Sequence, residues 1–299
     1  MNITLTGASG FLGSRLIAQL LRDGHTLHAL GRKRSTSLPE AVLFTAWDAL
    51  QGPPPRGSLA DADAVIHLAG EPVSQRWNAD VKRRIMDSRK MGTRHLVEGL
   101  ADLAHRPAVL VSASATGYYG SRGDESLVEQ SDPGQGFLPE ICVEWERQAL
   151  NAEVLGIRVT TIRIGLVLGK EGGAMAKILP PFQMGIGGRL GTGQQWMPWI
   201  HVDDLIKLFI FAMMRDSVSG AVNGVSPAPV RNVDFTATLA GVLHRPALFA
   251  VPQFALKMMF GEMAEIVLGS QKVFPKAAES AGFKFQYRDL TTALTALLA

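Results

Sequence analysis

The chain has 299 residues, 46% of them apolar, and a formal net charge of only +3. It can therefore bury a large core, in one domain or in a domain with an appended lobe. Its scattered basic residues argue against a nucleic-acid surface, and no apolar run reaches the ~18 residues that cross a bilayer. A single cysteine, Cys142, excludes an intramolecular disulfide, makes a thiolate metal site implausible and fits a reducing compartment.

The first strand begins almost at once, with no charged leader before it, so a cytoplasmic protein is expected. Ile3 and Leu5 alternate with Asn2, Thr4 and Thr6, as in a short buried strand. Gly7, Gly10 and Gly13 follow at three-residue spacing, then Leu12, Leu16, Ile17 and Leu20 at helical spacing, and Gly24 closes the helix. Three glycines alone could form a surface loop. Between a strand and an amphipathic helix they read as a dinucleotide-binding turn. Gly7 permits the tight turn, Gly10 lets backbone approach a pyrophosphate, and Gly13 lets the helix pack on the strand. The unpaired first-turn N–H groups and the helix dipole favour an anion there.

A second strand, Thr26 to Leu30, ends in Gly31-Arg32-Lys33-Arg34. An acidic residue at this point would bind the adenosine ribose of NAD. Arg32 and Lys33 instead offer positive charge to the extra phosphate of NADP(H). One or two charge-assisted contacts of about 1.5–3 kcal/mol, discounted for exposure, imply a roughly tenfold to thousandfold preference for NADP(H). The alternative is an ordinary solvated basic turn.

Strands then alternate with helices: Leu43–Trp47 into Asp48, Ala64–Leu68 into Ala69-Gly70-Glu71, a helix over Val81–Gly99, and Ala108–Val111 into the serine-rich run ending at Gly120. A helix from about Leu138 to Leu155 precedes the strand Val159–Ile164. This order predicts an α/β fold, a Rossmann-type doubly wound parallel sheet. Gly7, Arg32, Asp48, Ala69, Ser114 and Ile164 fall at strand carboxyl ends, where open sheets bind ligands. Asp48 thereby joins the cofactor-binding candidates. Pro53–Pro55 and the glycine-rich stretch 165–193 read as flexible connections. Within that stretch, residues 169–173 and 185–193 read as mobile loops over the site, and residues 247–268 as a core or lid helix.

The glycine turn, His67–Gly70, the serine-rich strand end before Tyr119-Gly120, and Trp199–Leu205 together resemble the extended short-chain dehydrogenase/reductase superfamily, over essentially the whole chain. The run His67–Glu71, Arg76-Trp77, Gly117–Gly120 and Met197–Leu205 is similar to the YfcH-type branch of epimerase-family proteins, which ends in a small domain of unassigned function. Here that domain is expected from about Gly269 onward. The resemblance implies that Gly7, Ser9, Gly10, Phe11 and Leu12 wrap the pyrophosphate and that Arg32 and Lys33 hold the 2′-phosphate. It also implies that Leu68, Ala69 and Glu71 line the nicotinamide side, with Arg89 and Ile164 completing the cleft. The expected division is a dinucleotide-binding domain over 1–165, completed by 201–225, and a smaller substrate lobe over 166–200 and 226–299.

The departure from that superfamily bears most on function. Most of its members carry a serine at a strand end and Tyr-x-x-x-Lys on the next helix, whose i,i+4 spacing puts both on one face. The lysine lowers the phenol pKa so that a proton can move with the hydride. Counted on from Ser114, those positions hold Leu138 and Cys142. Substitutes are Tyr118 and Tyr119 as proton donors or pocket walls, with Ser114 and Thr116 facing the nicotinamide. Glu71 is a base or a structural acceptor. Arg89 is an ion-pair partner of Glu71 or Asp87, or a contact to cofactor or an anionic substrate. His201 and Asp203 form a dyad or fix the hinge between lobes, and Trp77 and Trp196 frame substrate or sit in the core.

Two functions follow: an NADP(H)-dependent oxidoreductase of a small, unidentified metabolite, or an NADP(H)-occupied sensor or partner-docking protein that has lost the chemistry. A nucleotide-sugar epimerase ranks below both, since it needs proton and hydride chemistry together. Oligomeric state does not follow from the sequence, and a homodimer is compatible with it.

Overall fold

Seven alternating apolar segments assemble into one all-parallel sheet in the computed structural model, which describes residues 1–298. The strands are β1 (Asn2–Thr6), β2 (Thr26–Gly31), β3 (Leu43–Ala46), β4 (Ala64–His67), β5 (Val109–Ala115), β6 (Arg158–Ile164) and β7 (Gly220–Gly224). Their spatial order is β7-β6-β5-β4-β1-β2-β3. The chain reverses direction across the sheet between β1 and β4, the switch point at which such sheets bind ligands. The expected α/β doubly wound class is therefore observed.

Helices cover both faces. Among them are α1 (Phe11–Arg22), α2 (Ala79–Ala101) and α3 (Phe137–Leu150). Helix α1 buries Gly13, Leu16, Ile17 and Leu20 against the sheet, and α2 is capped by Asn78, whose side chain accepts from Val81 N. Two boundaries differ from expectation. The helix predicted to reach Leu155 stops at Leu150 and continues as a 3-10 turn. Strand β5, predicted to end at Val111, runs on through Ser112 and Ser114, which are both buried. Ser112 and Ser114 pair in register with Thr161 and Arg163 of β6, so the serine-rich run is strand rather than loop.

The remaining helices are α4 (Met175–Gln183), α5 (Val202–Met214), α6 (Asn232–Leu243), α7 (Gln253–Phe260), α8 (Ala264–Leu268), α9 (Lys276–Ser280) and α10 (Leu290–Leu298), joined by short strand pairs, and α5 packs on the sheet through Leu205, Leu208 and Phe209. Residues 188–190, expected in a mobile loop, form a strand that pairs in parallel with Phe249–Val251. An added Cβ at Gly188 would strike the Phe249 carbonyl, so the glycine permits that pairing. The 247–268 segment is not a core helix: α7 buries only Leu256, and Phe254, Met258 and Met259 face outward.

The carboxyl-terminal part also packs against the sheet. Ala278, Phe283 and Phe285 share the core of the dinucleotide-binding sheet with Ile162 and Phe209. The tether is Asp204 at the start of α5. It is fully buried, and its two carboxylate oxygens accept from the backbone N–H of Gln286 (2.9 Å) and Tyr287 (2.8 Å). Its neighbour His201 caps the same helix, accepting from Asp203 N at 3.2 Å, and stacks on Tyr287 with centroids 3.9 Å apart. Replacing Asp204 by Ala takes a charged acceptor away from two part-buried donors, at about 1–3 kcal/mol each. Asp204→Ala is therefore expected to lower unfolding stability by roughly 2–4 kcal/mol, read as a reduced urea midpoint; an unchanged midpoint would show that the tether is dispensable.

Candidate functional site

The glycine turn closes against the end of β4. Gly7 has φ +71°, and an added Cβ would lie 2.8 Å from Leu68 C and 2.9 Å from Ala69 N. At Gly13 it would strike the Gly7 carbonyl oxygen and Ala8, so the helix can approach the turn only because no side chain is there. Gly10 N donates to Gly7 O (3.0 Å) and Ser14 N to Gly10 O (2.9 Å), while the N–H groups of Phe11 and Leu12 have no acceptor among the described residues. Gly10 supplies no side-chain cap. Two unpaired amides at a helix N-terminus, beside exposed Ser9 and Gly10, make the seat for an anion.

That seat has a roof. The ring of Phe11 fills the space where Cβ atoms would stand on Gly169 and Gly172, so the 169–173 loop lies directly over the turn. Arg15 stacks on the same ring at 5.3 Å and reaches across to Glu171 at 3.2 Å.

At the end of β2, Arg32 and Lys33 are exposed and make no side-chain hydrogen bond or ion pair among the described residues. Arg34 instead turns back to the carbonyls of Val42 (3.1 Å) and Pro39 (3.0 Å), holding the loop shut. Asp48 accepts from Leu50 N at 3.1 Å and so shapes its own turn.

At the end of β4, a buried polar chain fixes the switch point. Thr6 Oγ1 accepts from the N–H of both Leu68 and Ala69 (each 3.2 Å) and lies 2.7 Å from His67 Nδ1. With both lone pairs engaged, the hydroxyl proton goes to Nδ1. The neutral ring then carries its proton on Nε2 and donates to Thr93 Oγ1 at 2.9 Å. Burial, with the nearby Arg89 charge, pushes the His67 pKa down to about 4. Glu71 holds its carboxylate toward Gln75 (3.1 Å) and Arg84 (3.7 Å), with its amide on Ser88. Arg89 forms neither expected ion pair, with Glu71 or with Asp87. Its Nη1 donates to the backbone carbonyls of Glu71 (2.9 Å) and Ile85 (3.2 Å), and its guanidinium lies 4.8 Å from the Trp145 ring centre.

At the ends of β5 and β6 stands a larger network that the sequence did not disclose. Arg163 on β6 grips Glu146 on α3 with two bonds, Nε to Oε1 and Nη2 to Oε2, each 2.8 Å. Ser114 Oγ donates to the same carboxylate at 2.6 Å. Arg163 Nη1 continues to Tyr119 Oη (3.0 Å) and the Glu129 carbonyl (3.1 Å), and Tyr119 donates to Asn223 Oδ1 at 2.7 Å. Asn223 in turn binds Glu129 through its N–H and the Phe274 carbonyl through its side-chain amide.

Tyr119 was expected as a proton donor, but its side chain is sealed from solvent, and burial pushes its phenol up to about 12. Ser114 is likewise buried, and Thr116 is buried at the start of the 3-10 turn. Tyr118 is different. It is half-buried, its hydroxyl has no partner among the described residues, and the Arg163 guanidinium lies 3.4 Å over its ring. Ile164, half-buried, ends β6.

The positions of the missing pair are apolar. Leu138 packs with Trp77, Phe137, Ile141 and Met263, and burial pushes the Cys142 thiol up to about 12. Trp77 is a core residue of that cluster, edge-on to Phe137 at 5.1 Å. Trp196 lies between Arg231 and Lys272 and donates to Asp124 at 2.7 Å. Among the described residues no cluster of acidic, histidine or cysteine side chains could hold a metal ion, and no helix is long and apolar enough to cross a membrane.

Residues 3–223 match the NAD dependent epimerase/dehydratase family, and residues 251–297 match a domain of unknown function (DUF1731). The chain belongs to the NAD dependent epimerase/dehydratase family. The second match starts at residue 251, earlier than the Gly269 expected from sequence. Within the family, the chain is 42% identical to an epimerase family protein SDR39U1 homolog, chloroplastic, of Arabidopsis thaliana, over 100% of this chain and 87% of that protein. It is 35% identical to the epimerase family protein YfhF of Bacillus subtilis, covering 100% and 98% of the two chains. Among solved structures, human epimerase family protein SDR39U1 with NADPH superposes with a TM-score of 0.88 at 30% identity, over 99% of each chain.

Glu146, Arg163, Asn223 and Glu129 were absent from the sequence-derived site. One signal did exist: Arg163 interrupts the otherwise uncharged strand Val159–Ile164, and a buried charge requires a partner.

The His67 pairings carry a pH dependence. Its folded pKa of about 4 lies below the ordinary 6.5, so the unfolded chain binds the proton more tightly. The stability from keeping the ring neutral is complete above about pH 6.5 and is lost as pH falls through 4, by up to about 3 kcal/mol. Denaturation from pH 7 to 4 should show that slope, and His67→Asn should flatten it; an equal slope in the variant would place the titration elsewhere.

Proposed function

We propose that this family member is an NADP(H)-dependent oxidoreductase of a small metabolite, working without the Tyr-x-x-x-Lys pair. The observation that carries the reading is the unfilled phosphate seat under Phe11, together with the two uncommitted cations Arg32 and Lys33 at the end of β2. The residues fit the cofactor: glycines stand where a Cβ would clash, two amides lack acceptors, and no acidic side chain stands at the end of β2 to repel a 2′-phosphate. The human relative, solved with NADPH, supports the same choice.

In this reading Gly7, Ser9, Gly10, Phe11 and Leu12 hold the pyrophosphate, and Arg32 and Lys33 hold the 2′-phosphate. Asp48 shapes the adenine side, and Leu68, Ala69, Glu71, Arg89 and Ile164 border the nicotinamide. Bound NADPH supplies a hydride. The chain supplies orientation and, at Tyr118, the one phenol near the β5 end whose proton is uncommitted. Ser114 and Tyr119 act behind it, through Glu146 and Arg163, as positioning residues. Leu138 and its apolar neighbours give the acceptor a hydrocarbon wall, suited to a carbonyl, quinone or enone carbon rather than to a sugar's hydroxyls.

A second reading, a cofactor-occupied sensor, draws support from the internal commitment of Ser114 and Tyr119 and from the apolar Leu138 and Cys142.

Two variants test the proposal. Arg32→Ala should weaken NADPH binding by about tenfold or more, the loss of one charge-assisted contact, and leave NADH binding unchanged; equal losses for both would remove Arg32 from the phosphate site. Tyr118→Phe should slow NADPH oxidation by an active carbonyl, quinone or enone acceptor by roughly a hundredfold at unchanged NADPH affinity. Tight NADPH binding with no turnover on any acceptor class would instead select the sensor.

A further inference from the structure

Arg89 is nine-tenths buried, yet no carboxylate meets it. Its guanidinium packs against the backbone at the end of β4, where an added Cβ on Gly70 would lie 3.1 Å from Cζ. Nη1 serves two carbonyls, while Nε and Nη2 donate to nothing among the described residues and are not sealed from solvent. The charges around it are already matched. Glu71 faces Arg84 and Gln75, Glu146 is held by Arg163, and Glu144 lies between Lys90 and Arg147. Cys142, the nearest ionisable group on α3, is a neutral thiol. The Glu71 charge reaches Arg89 only from a distance and is shared with Arg84, so a guanidinium with no carboxylate of its own stands at the switch point of the sheet, in a setting where cations are ordinarily paired.

We propose that Arg89 makes the site discriminate by the charge of the nicotinamide ring, so that the uncharged dihydronicotinamide of NADPH is held more tightly than the cationic ring of NADP⁺. The inference rests on the proposed seating of NADP(H), with the ring at the ends of β4 and β5. A guanidinium within several ångströms of that ring repels the oxidised form and leaves the reduced form untouched. At the effective dielectric of a partly buried site the expected preference is on the order of tenfold to a hundredfold. Each tenfold preference raises the two-electron potential of the bound couple by about 30 mV, which makes the bound cofactor a weaker reductant and speeds departure of the oxidised product.

The test is a set of equilibrium dissociation constants for NADPH, NADP⁺ and 2′-phospho-ADP-ribose, which lacks the ring, on the wild-type chain and on Arg89→Lys, Arg89→Gln and Arg89→Met. The proposal expects NADP⁺ to bind at least about tenfold more weakly than NADPH to the wild type. Arg89→Lys should keep most of that ratio. Arg89→Gln and Arg89→Met should bring it to within about threefold of unity, with the affinity for 2′-phospho-ADP-ribose unchanged.

A wild-type ratio near unity overturns the proposal without needing any variant. So does an unaltered ratio in the folded neutral variants. An equal loss for all three ligands also overturns it, by assigning the guanidinium to the pyrophosphate. Absence of NADPH binding to the wild type is a different result, which removes the proposed cofactor itself.

Discussion

The two-pronged ion pair between Arg163 and Glu146 is the constraint on which the rest of the site depends. It joins strand β6 to helix α3, and through Ser114, Tyr119, Asn223 and the Phe274 carbonyl it reaches β5, β7 and the carboxyl-terminal segment. Both charges are almost completely buried. Removing one partner of such a pair leaves the other desolvated and alone, which typically costs about 3–5 kcal/mol. The network therefore fixes the relative placement of four elements, and the surface presented to a ligand is set by what it leaves over.

What it leaves over bears on the proposed chemistry. A serine and a tyrosine at the end of β5 would be free reactants in an open pocket. Here their hydroxyl protons go to Glu146 and Asn223, and the face of α3 that would carry a proton relay presents Leu138 and the neutral Cys142 instead. The glycine turn and the end of β2 show the opposite design: backbone donors and two surface cations stand uncommitted. Binding groups are left open while reactive groups are tied down, and this favours cofactor affinity over fast proton transfer.

The glycine turn and the sheet were legible because both are governed by local rules. Glycine spacing around Gly7, Gly10 and Gly13 is imposed by backbone contact distances, and the period of apolar residues announces strand or helix whatever surrounds it. The internal network was hidden because its members come from residues 114, 119, 129, 146, 163 and 223, and only folding brings them within hydrogen-bond reach. Tyr118 and Tyr119 illustrate the limit. They are adjacent in the chain and indistinguishable by pattern, yet one phenol is free and the other sealed. Asp204 is similar: a second aspartate in a familiar run, whose part in holding residues 286 and 287 is visible only in three dimensions.

Arg89 also bears on how such a site can change over generations. Cys142 stands one helical turn before Glu146, and its thiol feels the charge of Arg89. A lysine at position 142 would bury a second cation beside the first, and a tyrosine at 138 would stand in a hydrocarbon wall, with Ser114 already bonded elsewhere. Neither substitution supplies a relay without the other, and the lysine would in addition meet the guanidinium. A Tyr-x-x-x-Lys relay is thus separated from this chain by several coupled substitutions, each unfavourable on its own.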